Sequence, residues 1–210
     1  MIHILIADDH ALVRRGLQQV VIQADGLSVM GEASDGWQVL EFLRTQQPDV
    51  VLLDLTMPGP SGVDLVKRIK SLAPKIPILV VSMHAEGQIA SRIIKAGASG
   101  YLTKDNEPET LIDAIKQVAR GKHFIDPRLA TEVVFGRTTE TTDIPHSRLS
   151  DREFGVFIAI ARGRSINDIA LDLHLSAKTV STHKARLMQK MGMQNLSELV
   201  LYASEHGLLT

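Results

Sequence analysis

Four short stretches of this sequence carry side chains suited to phosphoryl chemistry, and each adjoins an apolar run. Asp8 and Asp9 follow Ile2–Ala7, and Asp54 follows Val50–Leu53. Ser82 ends Ile78–Ser82, and Lys104 comes just after Gly100–Leu102. Three carboxylates brought close together repel, which costs free energy unless a cation joins them. An all-oxygen site completed by water suits Mg²⁺. With that charge offset, one carboxylate can attack a phosphoryl group. Mg²⁺, the Lys104 ammonium and the Ser82 hydroxyl would then hold its three oxygens.

Such a set works only if the fold gathers it. Apolar runs at Ile2–Ala7, Leu27–Gly31, Val50–Leu53, Ile78–Ser82 and Gly100–Leu102 read as strands. Between them lie helical stripes: Leu12, Leu17, Val20 and Val21; Val39, Leu40 and Leu43; Val63, Val66, Ile69 and Leu72; Ile89, Ile93 and Ile94; Leu111, Ile112, Ile115 and Val118. Alternating strands and helices predict a flavodoxin-like, doubly wound α/β domain with a five-stranded parallel sheet. In such a sheet the C-terminal ends of the strands share one rim, where Asp8, Asp9, Asp54, Ser82 and Lys104 converge. A lone aspartate after a strand is ordinarily a cap or loop residue, so the weight lies on the ordered set. Turn chemistry agrees: Pro58-Gly59-Pro60-Ser61-Gly62 is a loop with Ser61 placed to cap the next helix, and Glu107-Pro108 suits a helix start.

After Phe124-Ile125 the pattern changes. Asp126-Pro127 opens a short helix carrying Leu129, Val133 and Val134, and Gly136–Ser147 is polar and reads as a mobile linker. The expected division is 1–125, a 126–147 linker and a small all-α domain at 148–210. Its helical patterns cover 151–162, 165–172, 177–191 and 196–206. A short helix, the turn Leu173-His174-Leu175-Ser176 and a longer helix read as helix-turn-helix, with Ser176 as N-cap. The second helix carries Lys178, Lys184, Arg186 and Lys190 and no acidic residue. Val180, Leu187, Met188 and Met191 make its inward stripe, and Ser181, Thr182 and Ala185 face outward.

Composition excludes other chemistry. The 210-residue chain has no cysteine, so disulfides, thiolate zinc sites and cysteine nucleophiles are ruled out. Met1 leads straight into an apolar strand without a basic start, and no stretch is long enough to span a bilayer, so a cytoplasmic protein without membrane partners is expected. The net charge of −1 is unevenly spread. Residues 1–126 hold 13 basic and 15 acidic side chains, and residues 147–210 hold 8 and 6. That balance permits a nucleic-acid partner for the C-terminal part.

Ala7-Asp8-Asp9-His10, Leu52–Pro58, Val81-Ser82 and Tyr101-Leu102-Thr103-Lys104 closely resemble the receiver domain of two-component response regulators, over residues 1 to about 125. The resemblance implies that Asp54 is the phosphoacceptor. It makes Asp8 and Asp9 the metal-binding acidic pair, with Asp54 and the Thr56 backbone carbonyl as further ligands. It makes Ser82 and Tyr101 the switch pair and Lys104 the phosphate-contacting lysine. Two departures stand out: Asp105 follows the lysine where many receivers have proline, and His84 sits at a position that tunes dephosphorylation.

Leu149–Glu153, Gly163–Ala170, Leu175–His183 and Lys190-Met191-Gly192 resemble the LuxR-type helix-turn-helix module, over residues 148 to about 206. Together the two resemblances imply the NarL/FixJ subfamily. Thr179–Thr182 and Glu205–Leu209 are similar to its regulators of virulence and secondary metabolism. They also imply base-facing Ser181, Thr182 and Ala185, with Lys178, Thr179, Lys184 and Arg186 nearby and the basic residues suited to phosphates. Many relatives have lysine at the place of Ser181, so phosphate contacts and DNA shape carry more of the selectivity expected here.

The function implied is a DNA-binding transcription regulator, not an enzyme, activated when a sensor histidine kinase or phosphotransfer protein supplies a phosphoryl group to Asp54. Further partners implied are double-stranded promoter DNA, RNA polymerase and a second copy of the chain, paired in part through Leu196, Leu199, Val200 and Ala203. Two other readings differ in class. One is a DNA-binding protein whose first domain is a phosphate-insensitive scaffold. The other is an aspartate-nucleophile phosphatase, against which Thr56 counts, because such enzymes usually place a second Asp there.

Overall fold

A computed structural model describes residues 1–83, 87–130, 145–173, 175–206 and 208–209. The chain divides into two compact units, residues 1–138 and 139–210.

The first unit alternates strictly: β1 (Ile2–Ala7), α1 (Ala11–Gln23), β2 (Leu27–Ala33), α2 (Gly36–Thr45), β3 (Val50–Leu53), α3 (Gly62–Leu72), β4 (Ile78–Ser82), α4 (Gly87–Lys95), β5 (Gly100–Thr103), α5 (Pro108–Ala119) and β6 (Phe124–Ile125). All strands pair in parallel, in the order β2-β1-β3-β4-β5-β6. The expected doubly wound fold is present, but its sheet has six strands rather than five. Phe124 and Ile125 pair with Gly100 and Tyr101, so the last apolar dipeptide extends the sheet.

The central strands β1 (from Ile4), β3, β4 and β5 are buried on both faces, which is why they read as unbroken apolar runs. Ile4, Ile6, Val50, Leu52, Leu79, Val81 and Leu102 pack with Leu111, Ala114, Ile115 and Val118 of α5 and Val21 of α1. The alternate residues Leu5, Val51, Leu53, Ile78, Val80 and Tyr101 are equally buried, as are the inward residues of α2, α3 and α4. Register then fixes the rim. Ala7 pairs with Leu53, so Asp8 and Asp54 emerge side by side. Ser82 pairs with Thr103, so Lys104 leaves the sheet one step beyond Ser82.

Loops confirm some local expectations and correct another. Pro108 stands in the first turn of α5 after Glu107. Ser61 occupies the N-cap position of α3 with extended backbone, but its side chain makes no capping hydrogen bond. Residues 127–130 are helical, with Leu129 buried and Asp126 Oδ1 accepting the N–H of Arg128 at 3.0 Å. Val133, Val134, His84, His174 and the 136–144 part of the expected linker lie outside the described residues.

Among the described residues of the second unit, a 3-10 turn at Pro145–Arg148 comes first. His146 is buried there, with Nδ1 2.8 Å from the Tyr202 hydroxyl. Four helices follow: α6 (Asp151–Ala161), α7 (Ile166–Leu173), α8 (Ala177–Met191) and α9 (Leu196–Glu205). Their starts are capped by Ser150 in a reciprocal box with Glu153, by Ser176 for α8 and by Asn195 for α9. Each such cap is worth about 1 kcal/mol. Gly192 ends α8 with φ +67°, a conformation that favours glycine.

One glycine bears on the rim. Gly36 opens α2 and donates its N–H to the Pro58 carbonyl at 3.0 Å. A Cβ there would lie 1.9 Å from the Pro60 carbonyl oxygen. Gly36→Ala is therefore expected to destabilise the first unit by about 1–3 kcal/mol through overpacking, read by urea denaturation. An unchanged midpoint would show that the loop gives way freely.

Candidate functional site

The sheet brings Asp8, Asp54 and Lys104 together. Lys104 Nζ lies 2.7 Å from Asp8 Oδ2 and 3.2 Å from Asp54 Oδ1. The Lys104 side chain is 9% exposed and both carboxylates are almost fully buried. The backbone fixes these positions: Asp54 N–H donates to the Ala7 carbonyl at 2.8 Å, and Lys104 N–H to the Ser82 carbonyl at 2.8 Å. Arg14 Nη1 donates to the Asp8 carbonyl at 2.7 Å. The hydroxyl and N–H of Thr56 donate to Asp54 Oδ2, at 2.9 and 3.3 Å. Thr56 thus engages the site through its donors. Ser82 and Tyr101 are fully buried, with the tyrosine ring already inside the fold.

Asp9 is partly exposed, and its Oδ1 lies 2.9 Å from His10 Nδ1. His10 also donates its backbone N–H to Asp8 Oδ1 at 2.8 Å. Potential ligand atoms of Asp8, Asp9 and His10 lie within 4.8 Å of one another. Asp8 Oδ2, Asp9 Oδ1 and Asp54 Oδ1 are buried oxygens without a well-directed hydrogen bond among the described residues; the Lys104 ammonium lies beside the first and the last, and the His10 ring beside Asp9. Hard, negatively charged oxygens without such donors are what a divalent cation such as Mg²⁺ requires. The donor set therefore fits the cation the sequence implies.

A second surface lies on α8. Lys178, Ser181, Thr182, Ala185 and Arg186 are exposed, and Thr179 and Lys184 partly so. Positions 178, 181, 182 and 185 are neighbours on one helical face. Val180, Leu187 and Met191 face inward and are buried. Thr182 donates its hydroxyl to the Lys178 carbonyl at 2.9 Å, so towards a ligand it offers a methyl group and an acceptor only. Thr179 donates its N–H to Ser176 Oγ at 3.0 Å and shares a 2.8 Å hydroxyl contact with it.

Residues 4–116 match the family described as the response regulator receiver domain, and residues 147–203 match bacterial regulatory proteins of the luxR family. The chain belongs to the NarL/FixJ family of response regulators. It is similar to the response regulator UvrY of Escherichia coli K12, with 34% identity covering 99% of this chain and 96% of that protein. It is 35% identical to the response regulator GacA of Pseudomonas aeruginosa, covering 100% and 98%. Salmonella enterica RcsB bound to the rprA promoter superposes with a TM-score of 0.78 at 29% identity, covering 97% of this chain and 99% of that one. The regulator accordingly has a receiver and a LuxR-type DNA-binding domain. Among its described residues no helix is long and apolar enough to cross a membrane.

Sequence reading missed two charge arrangements. Lys190 Nζ lies 2.6 Å from Glu153 Oε2, tying the end of α8 to the start of α6. The same oxygen accepts from Ser150 N–H and Oγ, both at 2.8 Å. Ser150-Asp151-Arg152-Glu153 has the capping-box spacing and was a readable signal. A lysine 37 positions away was not. The other arrangement joins Thr103, Asp105, Asn106, Asp126 and Arg128 just behind Lys104.

Burial opposes ionisation of Glu153, but Lys190 and the Ser150 donors outweigh it and hold the carboxyl at about 2, against an ordinary 4.5. The stabilisation it supplies is complete above about pH 4.5 and is lost as pH falls through about 2. Thermal melts followed by circular dichroism should show the DNA-binding domain weakening across that window. Glu153→Gln, already less stable at neutral pH, should show a flatter acid limb. Parallel acid limbs would assign the loss to other groups.

Proposed function

We propose that the regulator is switched by transfer of a phosphoryl group to Asp54 and then binds promoter DNA as a homodimer. The observation that carries this reading is the Lys104 ammonium between the buried carboxylates of Asp8 and Asp54. Asp8, Asp9, Asp54 and the Thr56 carbonyl would hold Mg²⁺, which offsets the charge of the carboxylates and of the incoming phosphoryl group. Asp54 attacks phosphorus, a P–O bond to Asp54 forms, and the P–N bond to a sensor kinase or phosphotransfer histidine breaks. Lys104 turns from its carboxylate partners to one phosphoryl oxygen and the Ser82 hydroxyl donates to another. Tyr101 adjusts with Ser82. The domains are taken as 1–125 and 148–210 with a 126–147 linker. The chemistry stops at the aspartyl phosphate: Thr56 stands where an acid/base carboxylate would drive turnover.

Ser181, Thr182 and Ala185 face base edges, with the Thr182 and Ala185 methyl groups suited to thymine, while Lys178, Lys184 and Arg186 meet phosphates and Thr179 supports the helix start. Leu196, Val200 and Leu201 of α9 are exposed, whereas Leu199 and Ala203 are buried. The outer set is the pairing face for a second copy, and the inner set is core. RNA polymerase is the remaining partner, and the setting is the cytoplasm.

Two measurements test the reading. After incubation with a small acyl phosphate and Mg²⁺, intact mass should show one added phosphoryl group on the wild type and none on Asp54→Asn, with light scattering shifting towards dimer. No adduct from either the acyl phosphate or a phosphorylated kinase would leave a phosphate-insensitive scaffold. For DNA, Lys178→Ala should weaken binding on all sequences and lower the slope of log K against log salt by about 1. An unchanged slope would remove Lys178 from the phosphate contacts.

A further inference from the structure

Lys104 lies between Thr103 and Asp105, and one guanidinium grips both neighbours. Arg128 donates Nη1 to Asp105 Oδ2 at 2.8 Å and Nη2 to Asp105 Oδ1 at 3.0 Å. The same group donates Nε to Asp126 Oδ1 at 3.1 Å, Nη2 to Asp126 Oδ2 at 2.9 Å, and Nη2 to the Thr103 hydroxyl oxygen. Asp126 is fully buried and also accepts from the Thr103 hydroxyl at 2.9 Å and from Asn106 Nδ2 at 2.7 Å. Asn106 Nδ2 reaches the Thr103 carbonyl at 3.1 Å. The loop that aims Lys104 is thus held at both ends and from behind.

The Arg128–Asp105 pair is more than half exposed, so it adds little to folding stability. What a two-pronged guanidinium–carboxylate contact supplies is a fixed orientation. Asp105 needs it, having no proline ring to fix its φ. The guanidinium holds the Asp105 carboxyl down at about 2, so the pair stays charged through the neutral range. Lys104 has little room for error, because its Nζ must serve Asp8 and Asp54 at once.

We propose that Arg128 is a positioning residue for Lys104, acting through Thr103, Asp105 and Asp126; this rests on the reading that Asp54 takes the phosphoryl group. Phosphorylation by a small acyl phosphate with Mg²⁺ tests it, followed by intact mass over a range of donor concentrations. Arg128→Ala should lower the limiting rate roughly tenfold, within the ~100-fold that an ångström of misplacement can cost. The half-saturating donor concentration should hold. Asp105→Asn should show a smaller loss in the same direction. It leaves the buried Asp126 contacts intact and so keeps the test open if Arg128→Ala misfolds. In a Lys104→Ala background, Arg128→Ala should bring no further loss, because its effect runs through that lysine. The same fold-loss in both backgrounds would make the cluster structural only and overturn the proposal. A wild type that reacts while Arg128→Ala and Asp105→Asn keep pace overturns the proposal alone. A wild type that takes no phosphoryl group overturns the underlying reading, and the proposal falls with it.

Discussion

Electrostatic repulsion at the rim is the constraint to which the receiver answers. Asp8 and Asp54 are forced side by side because β1 and β3 are neighbours in register, and both carboxylates are almost fully buried. Such an arrangement is costly unless charge offsets it. The resident answer is Lys104, delivered from the far side of β4 by the pairing of Ser82 with Thr103. The apolar strands do more than form a core: they provide a frame stiff enough to hold like charges together. Two-faced burial of Ile4–Ala7, Val50–Leu53, Ile78–Ser82 and Gly100–Thr103 is the structural means.

The DNA-binding domain solves a different problem. A recognition helix must leave one face empty for a ligand, so packing can hold it only from behind and at its ends. Val180, Leu187 and Met191 do the first. The Ser176 cap, the Gly192 terminus and the Lys190–Glu153 ion pair do the second. Lys190 is therefore committed to the fold, while Lys178 and Arg186 remain on the open face. Basic residues on one helix thus divide between those tied into the fold and those left exposed.

The fold and the rim were legible because both rest on local pattern. Apolar runs mark the strands, 3.6-residue stripes mark the helices, and parallel topology sends every strand end to one edge. The sixth strand escaped because two residues are too few to show a period. The missing Ser61 cap bond escaped because residue type reports a capacity for bonding and not its use. The contact of His146 with Tyr202 escaped because His146 looks like a linker residue until Tyr202, 56 positions on, is placed beside it. The Arg128 cluster escaped for the same reason, since Asp105 and Arg128 are joined only by the pairing of β5 with β6. Chemistry carried by adjacent residues shows in a sequence, whereas chemistry assembled by long-range pairing shows once the register is known.

That distinction bears on how a signal leaves the rim. A phosphoryl group on Asp54, as proposed, would add on the order of one further negative charge there. Lys104 is already shared between two carboxylates, so it can answer the new charge only by leaving one of them. Its loop cannot move alone: Thr103 and Asn106 are bonded to Asp126, which caps the 127–130 turn leading out of the sheet. A ligand shifts a conformational equilibrium only by as much as it binds one state better than the other. Here the difference arises at one ammonium, and the first backbone beyond the sheet is attached to the loop that carries it. If Asp54 takes the phosphoryl group as proposed, the loop after β5 offers polar contacts that can be exchanged, whereas the strands beneath it are closely packed on both faces.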